Sequence, residues 1–392
     1  MRIDELKLNF SDIRERLVIF FVLLMPFYLN HSKNFGNLTM RVTHEHFFEL
    51  FAIFIFAFMI RNIWVAIGLI WTLFLHIFHD FTGGVYLRNI FSFAIIYFVA
   101  REIMTHELSR RVIRAIPILL AVQVWMMVLQ IIRFDVLFNS DQGNRVEIVG
   151  FMGLKAISGM FIAMLIPFVH PVVGLLSLVL IAVTSESTGA LLGGVAAFVF
   201  SLYHRSKRLF IAALVVLTIA AGAFAYKDSF AGMFTDRARL WKVVLKDAVT
   251  HPIVGFGLDS FRKVTDKKPF MYFKDVPTQE TGKAIPTKDG FFGDAKVFTP
   301  DATADPWDNA HNEYVMNFME FGILGLLIPF FLFRDLARRF RPTEASVAIG
   351  GYFIALLVMS IGQFPFHLVR IMFLFPVLLA IYEYETVFFT KE

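Results

Sequence analysis

Long apolar runs separated by short polar breaks make up most of the chain. They occupy residues 17–29, 47–60, 63–78, 86–99, 116–132, 149–169, 172–184, 190–203 and 209–226, then resume from His311 to Arg334 and at 345–361 and 371–388. A spanning helix needs roughly 20 mostly apolar residues, so the pattern predicts an all-α polytopic membrane protein with about twelve transmembrane helices. The polar stretch 227–310 alone is long enough to form an extramembrane domain. The expected organisation is a membrane region over 1–226 with spans 1 to 9, a loop domain over 227–310, and spans 10 to 12 over 311–392.

Charge orients these spans. Residues 1–16 hold Arg2, Lys7, Arg14 and Arg16, and later breaks hold Arg101, Arg110 and Arg111, then Arg205, Lys207 and Arg208, then Arg334, Arg338, Arg339 and Arg341. Basic loops stay on the cytoplasmic side. Both termini are therefore expected in the cytoplasm, and 227–310 outside, which in a Gram-negative cell is the periplasmic face of the inner membrane. The first apolar run follows a mixed-charge segment and shows no small-residue cleavage site, so it reads as a retained helix.

Composition supports the membrane reading and removes other classes. The chain is 57% hydrophobic and 18% charged, against roughly 45–50% apolar in soluble domains. The absence of cysteine excludes disulfides and thiolate-held metals. The net charge of +5 comes largely from short-loop arginines, which argues for orientation and against a nucleic-acid partner. The 48 phenylalanines suit lipid contact and helix packing.

Two polar stretches carry candidate chemistry. Arg237–Val249 reads as an amphipathic helix, with Leu240, Trp241, Val244, Leu245 and Ala248 on one face and Arg239, Lys242, Lys246 and Asp247 on the other. His251-Pro252 and Gly255-Phe256-Gly257 should stop it. Further on, Asp308 or Asn309 is expected to cap a helix with His311 in its first turn. The positive end of that helix would draw an anion and favour a neutral imidazole able to accept a proton. Residues 311, 314, 318, 322 and 325 would share one face, where Gly322 and Gly325 admit another helix. Glu320 would lie deeper and need a partner.

These stretches resemble the signatures of the bacterial O-antigen ligase and O-antigen polymerase superfamily. His311-Asn312-Glu313-Tyr314, followed by Glu320-Phe321-Gly322-Ile323-Leu324-Gly325, looks like one signature. Arg237, four residues before Trp241, and the later His251-Pro252-Ile253-Val254-Gly255-Phe256-Gly257 are similar to a second. Arg145, shortly before Gly150-Phe151, resembles a third. The chain departs from the family at Glu186-Ser187-Thr188-Gly189, where many members have Ser-Arg-Gly; Thr188 stands in place of that arginine, a variant closer to the polymerase branch.

The resemblance implies transfer of a glycan from an undecaprenyl diphosphate carrier to a sugar hydroxyl. The acceptor is a lipopolysaccharide core or a growing lipid-linked polysaccharide, and neither metal nor cofactor is expected. The residue types suit the reaction. A departing diphosphate needs fixed cations, and arginine offers planar paired donors, a role expected for Arg237 first, then Arg145 and Arg239. The attacking hydroxyl needs a proton acceptor working near neutral pH, a role expected for His311. Asn312, Tyr314 and Glu320 are expected to support and orient.

Plainer readings stand beside these. His311 would serve equally as an interfacial cap, Arg237 and Arg239 as lipid-headgroup contacts, and Glu320 as a structural intramembrane ion pair. His44, His46, His76, His79 and Asp80 cluster at the outer ends of the second and third spans as a rival zinc site, without diagnostic ligand spacing. A transporter or flippase of lipid-linked glycans would share the span count, but such proteins carry ionisable residues along a midplane pathway. Here the polar groups crowd the outer rim.

Overall fold

The computed structural model describes residues 93–131 except 95 and 99, 155–185, 187–211, 241–257 except 243, 310–363, and 365–388 except 368, together with Ile67, Ala238 and Ser260. All the regular structure in them is helical. The expected spans at 17–29 and 47–60, nearly all of 63–78, and much of 86–99 and 209–226 lie outside the described residues. So do most of the outer segment and the histidines proposed as a zinc site.

Helix α1 (His106–Ile131) starts earlier than the apolar pattern suggests. The expected loop between Arg101 and Arg114 is reduced to Met104 and Thr105, and Thr105 Oγ1 accepts from Leu108 N at 3.1 Å as a helix cap. Arg110, Arg111 and Arg114 therefore sit on a helix, and Arg111 pairs with Glu107 one turn earlier at 2.9 Å. Among the described residues, His106–Gln130 is the one stretch long and apolar enough to cross a membrane.

Helix α2 (Lys155–Leu165) and the 3-10 turn Ile166–Phe168 run through the centre. Every residue from Met160 to Leu165 is buried, as befits a helix apolar all round. Helix α3 (Pro171–Thr184) begins with proline at its first turn, where no backbone N–H is lost. It buries Gly174, Ser177, Leu178 and Ile181, while Val172, Leu175, Leu176, Val179 and Val183 stay exposed. That face is apolar and outward, the pattern of a helix that meets lipid.

Helix α4 (Thr188–Arg205), capped by Ser187, packs most extensively against α7 (Glu344–Met359), capped by Thr343. Gly189, Gly193, Ala197 and Ser201 recur every fourth residue and are buried. A Cβ on Gly193 would come within 2.8 Å of the Ala355 carbonyl oxygen, so the two backbones approach as closely as small residues permit. Between α4 and α7 in sequence come α5 (Glu313–Phe321) and α6 (Ile323–Arg338), and after α7 come a 3-10 turn (Pro365–His367), α8 (Val369–Met372) and α9 (Phe375–Phe388). The expected single spans from His311 to Arg334 and at 371–388 are thus each broken into two pieces.

Side chains tie the ends of these helices into two separate clusters. At one end Arg205 donates to the Val169 and Pro167 carbonyls, both at 2.9 Å, and Tyr382 donates to the Leu336 carbonyl at 2.8 Å. At that end too, buried Glu383 accepts from Tyr97 and faces Arg101, and buried Glu385 accepts from Ser109 at 2.7 Å. At the opposite end lie Ser187, Ser360, Gln363 and the start of α5.

Candidate active site

His311 precedes α5 and does not lie in its first turn. It holds a left-handed backbone with φ 47, the single non-glycine residue with positive φ among those described. Asn312 is the cap, extended at φ −155, with Oδ1 accepting from Val315 N at 3.0 Å. The expected capping by Asp308 or Asn309 is therefore replaced by Asn312, which has the same chemistry and stands nearer the apolar run. Asp308 and Asn309 lie outside the described residues. The left-handed turn costs free energy for any residue with a Cβ, about 1–3 kcal/mol; His311 is half-buried beside a helix start, with its Nδ1 buried.

A second departure explains Gly322. This residue has φ 67 and ψ −156, a conformation open essentially to glycine alone, and it ends α5 and starts α6. The face expected to join 311, 314, 318, 322 and 325 is consequently interrupted. What approaches Gly322 is not a helix but the backbone of the 251–257 turn, since a Cβ there would lie 2.2 Å from the Ile253 oxygen. In return, a Cβ on Gly255 (φ 64) would lie 2.5 Å from the Glu320 oxygen. Gly325 packs within its own bend, against the Asn317 oxygen.

The freed backbone groups at this break are paired across the contact. Phe256 N donates to Met319 O at 2.8 Å, Gly257 N to Glu320 O at 3.0 Å, and Ile323 N to Pro252 O at 2.8 Å. Glu320 is fully buried at the join. The helix before the turn contributes a further link, because Trp241 Nε1 donates to Ala310 O at 2.8 Å, next to His311 and 69 residues away in sequence. Val244 and Ala248 are buried on the same side as Trp241, whereas Leu245, expected on that face, is exposed.

On its other side, the start of α5 is fastened to the end of α7 and to the connector that follows it. Asn312 Nδ2 donates to Ile361 O at 2.9 Å, and Tyr314 OH donates to Leu357 O at 2.8 Å. Glu313, which the sequence did not single out, is buried and accepts from Phe366 N at 3.0 Å. Its own N–H donates to Ser360 O at 2.9 Å and Gln363 O at 3.0 Å. Gln363 Nε2 in turn donates to Ser187 Oγ at 3.0 Å, in the turn that holds Thr188. Gln363 was likewise missed; its one signal is a polar pair, Gln363 and His367, inside an apolar region.

His311, Asn312, Tyr314 and Glu320 are thus described, while Arg145, Arg237 and Arg239 lie outside the described residues. Among the described residues there is no group of three or more His, Cys, Asp or Glu able to hold a metal ion. Residues 173–330 match the protein-family profile described as O-antigen ligase. The match takes in α3 from its third residue, the 251–257 turn and the His311 segment, and it leaves out Arg145 and the connector after α7. No match among curated proteins was found.

Proposed function

We propose, from the O-antigen ligase domain that the chain carries over residues 173–330, that it transfers a glycan from undecaprenyl diphosphate to a sugar hydroxyl at the periplasmic face of the inner membrane. That family is one of polytopic membrane glycosyltransferases, and the match supports reading the chain as an integral membrane protein of that enzyme class. The finer reading has about twelve spans, cytoplasmic termini, and a periplasmic domain over 227–310 whose first part is the helix bearing Arg237. The acceptor is a lipopolysaccharide core or a growing lipid-linked polysaccharide. Neither a metal nor a cofactor takes part.

One observation carries this reading: two signature stretches distant in sequence meet at His311. Trp241 binds the carbonyl of Ala310, and the 251–257 turn docks on residues 319–323. Arg237 lies one helical turn before Trp241 in the expected helix, a spacing that would bring a guanidinium toward the same region. His311 acts as the general base that takes the proton of the acceptor hydroxyl. Arg237, assisted by Arg145 and Arg239, stabilises the charge that grows on the departing diphosphate. Asn312 and Tyr314 hold the base in place, and Glu320 carries the backbone contact to the 251–257 turn.

The test uses purified protein with a lipid-linked donor. His311→Ala should insert normally and bind donor while its turnover falls by roughly 10²–10⁴-fold, and the wild-type rate should decline as the imidazole protonates. Arg237→Ala should weaken donor binding as well, and Arg237→Lys should restore only part, because an ammonium lacks the guanidinium fork. A well-folded His311→Ala protein with wild-type turnover would overturn the assignment. A deletion strain separates the two branches: lost attachment with intact polymer marks a ligase, and lost chain extension marks a polymerase.

A further inference from the structure

We propose that Glu313 is a positioning residue for the transfer reaction: its buried carboxylate clamps the connector after α7 to the start of α5 and so holds His311 in its left-handed conformation. The proposal rests on the reading of His311 as the base. A carboxylate at the first position of a helix is favoured by the N-terminal partial charge, yet burying it costs heavily unless donors meet it. Glu313 is only 1% exposed, and Phe366 N donates to its Oε2 at 3.0 Å.

The same residue makes the reciprocal contact through its backbone. The Glu313 N–H, which α5 itself cannot satisfy, reaches Ser360 O at 2.9 Å and Gln363 O at 3.0 Å. Asn312 adds a bond to Ile361 O at 2.9 Å. The two residues that follow His311 therefore bind four positions of one connector, from Ser360 to Phe366. A histidine with φ 47 persists only where its surroundings dictate it. Those contacts fix the chain immediately after it, as the Trp241 bond to Ala310 fixes the chain immediately before it.

Other bonds hold α5 itself. Tyr314 OH reaches Leu357 O at 2.8 Å, and the far end of the helix is paired with the 251–257 turn. Loss of the Glu313 carboxylate should consequently leave α5 docked and disturb the connector and His311. A displacement of about 1 Å at a reacting group is worth up to roughly 10²-fold in rate.

The experiment compares Glu313→Ala and Glu313→Gln, each alone and together with His311→Ala, in full-length protein in lipid nanodiscs. It follows transfer kinetics and hydrogen exchange at the Phe366 amide. Glu313→Ala should speed exchange at Phe366 and lower kcat by roughly 10- to 100-fold with little change in KM for the donor. Glu313→Gln keeps an acceptor oxygen and should remain within about threefold of wild type. In the His311→Ala background, Glu313→Ala should cost nothing further, because a residue acting through His311 has nothing left to position.

Unchanged Phe366 protection in Glu313→Ala overturns the clamp. So does an equal further loss in the His311→Ala background, which marks a role independent of His311. A Glu313→Gln protein as impaired as Glu313→Ala, with Phe366 still protected, overturns it in favour of a carboxylate that takes part in the chemistry. Full activity of His311→Ala is the separate result that defeats the base assignment, whatever Glu313→Ala does to Phe366.

Discussion

Replacing Gly322 by alanine should unhook the two signature stretches from each other. The added methyl would sit 2.2 Å from the Ile253 carbonyl oxygen, 2.4 Å from its carbon and 2.8 Å from Val254 N, all backbone atoms that cannot rotate away. The backbone at φ 67, ψ −156 is itself closed to alanine, at about 1–3 kcal/mol. Moving the turn away would break the bonds of Phe256, Gly257 and Ile323 with residues 319, 320 and 252, each worth about 0.5–1.5 kcal/mol net. The combined loss should be roughly 2.5–7.5 kcal/mol. Thermal unfolding in detergent gives the size of the effect, and hydrogen exchange at Phe256, Gly257 and Ile323 locates it. Gly350→Ala is the control: its methyl meets the edges of the Phe200 and Phe340 rings, at 3.1 and 3.4 Å, side chains that can shift slightly, and it should stay within about 1 kcal/mol of wild type. If Gly322→Ala matches Gly350→Ala in stability and leaves the three amides protected, the docking of the 251–257 turn on this break is wrong.

Trp241→Phe removes the donor to Ala310 O while keeping most of the ring, and should cost about 0.5–1.5 kcal/mol and reduce turnover more than donor binding; an unaltered rate would mean that the bond does not position His311. Transfer by purified protein should survive EDTA, and activity lost on chelation and regained with zinc would shift the chemistry to His44, His46, His76 and His79. Alkaline phosphatase fused within 262–300 should be active; silence there with activity after Arg341 would invert the topology and place His311 on the wrong face for a lipid-linked donor.

The helices were legible where periodicity or chain composition alone decides them. The apolar runs at 172–184, 190–203 and 345–361 reappear almost unchanged as α3, α4 and α7, because each is uninterrupted and follows an N-cap, at His170, Ser187 and Thr343. Reading failed where a tertiary contact overrides the local pattern. Nothing in Glu320-Phe321-Gly322-Ile323 marks a helix break, since an isolated glycine is tolerated within a helix. The break exists because the 251–257 turn supplies hydrogen-bond partners to the backbone groups it frees. The start of α5 was misplaced for a related reason: Asp308, Asn309 and Asn312 are equivalent caps by residue type, and bonds from Trp241 and from the 360–366 connector select the last.

The same reasoning explains why Glu313 and Gln363 escaped notice while His311 did not. A histidine at a polar-to-apolar boundary suggests chemistry from its side chain alone, whereas Glu313 at a helix start looks like an ordinary favourable charge. Its significance comes from partners about fifty residues later, with Phe366 lying 53 positions away. Gln363 links that cluster to Ser187, 176 positions earlier. The turn after Ser187 presents Thr188, and the neutral Gln363 side chain fills the space above Gly189, 2.9 Å from where a Cβ would stand. An amide there gives a hydrogen bond without a charge, so under the proposed transfer the charge that meets the diphosphate would come from outside this turn. On the proposed reaction that charge comes from Arg237 and Arg145, and Arg237→Ala, which removes a charge that Arg237→Lys keeps, measures the share that Arg237 carries.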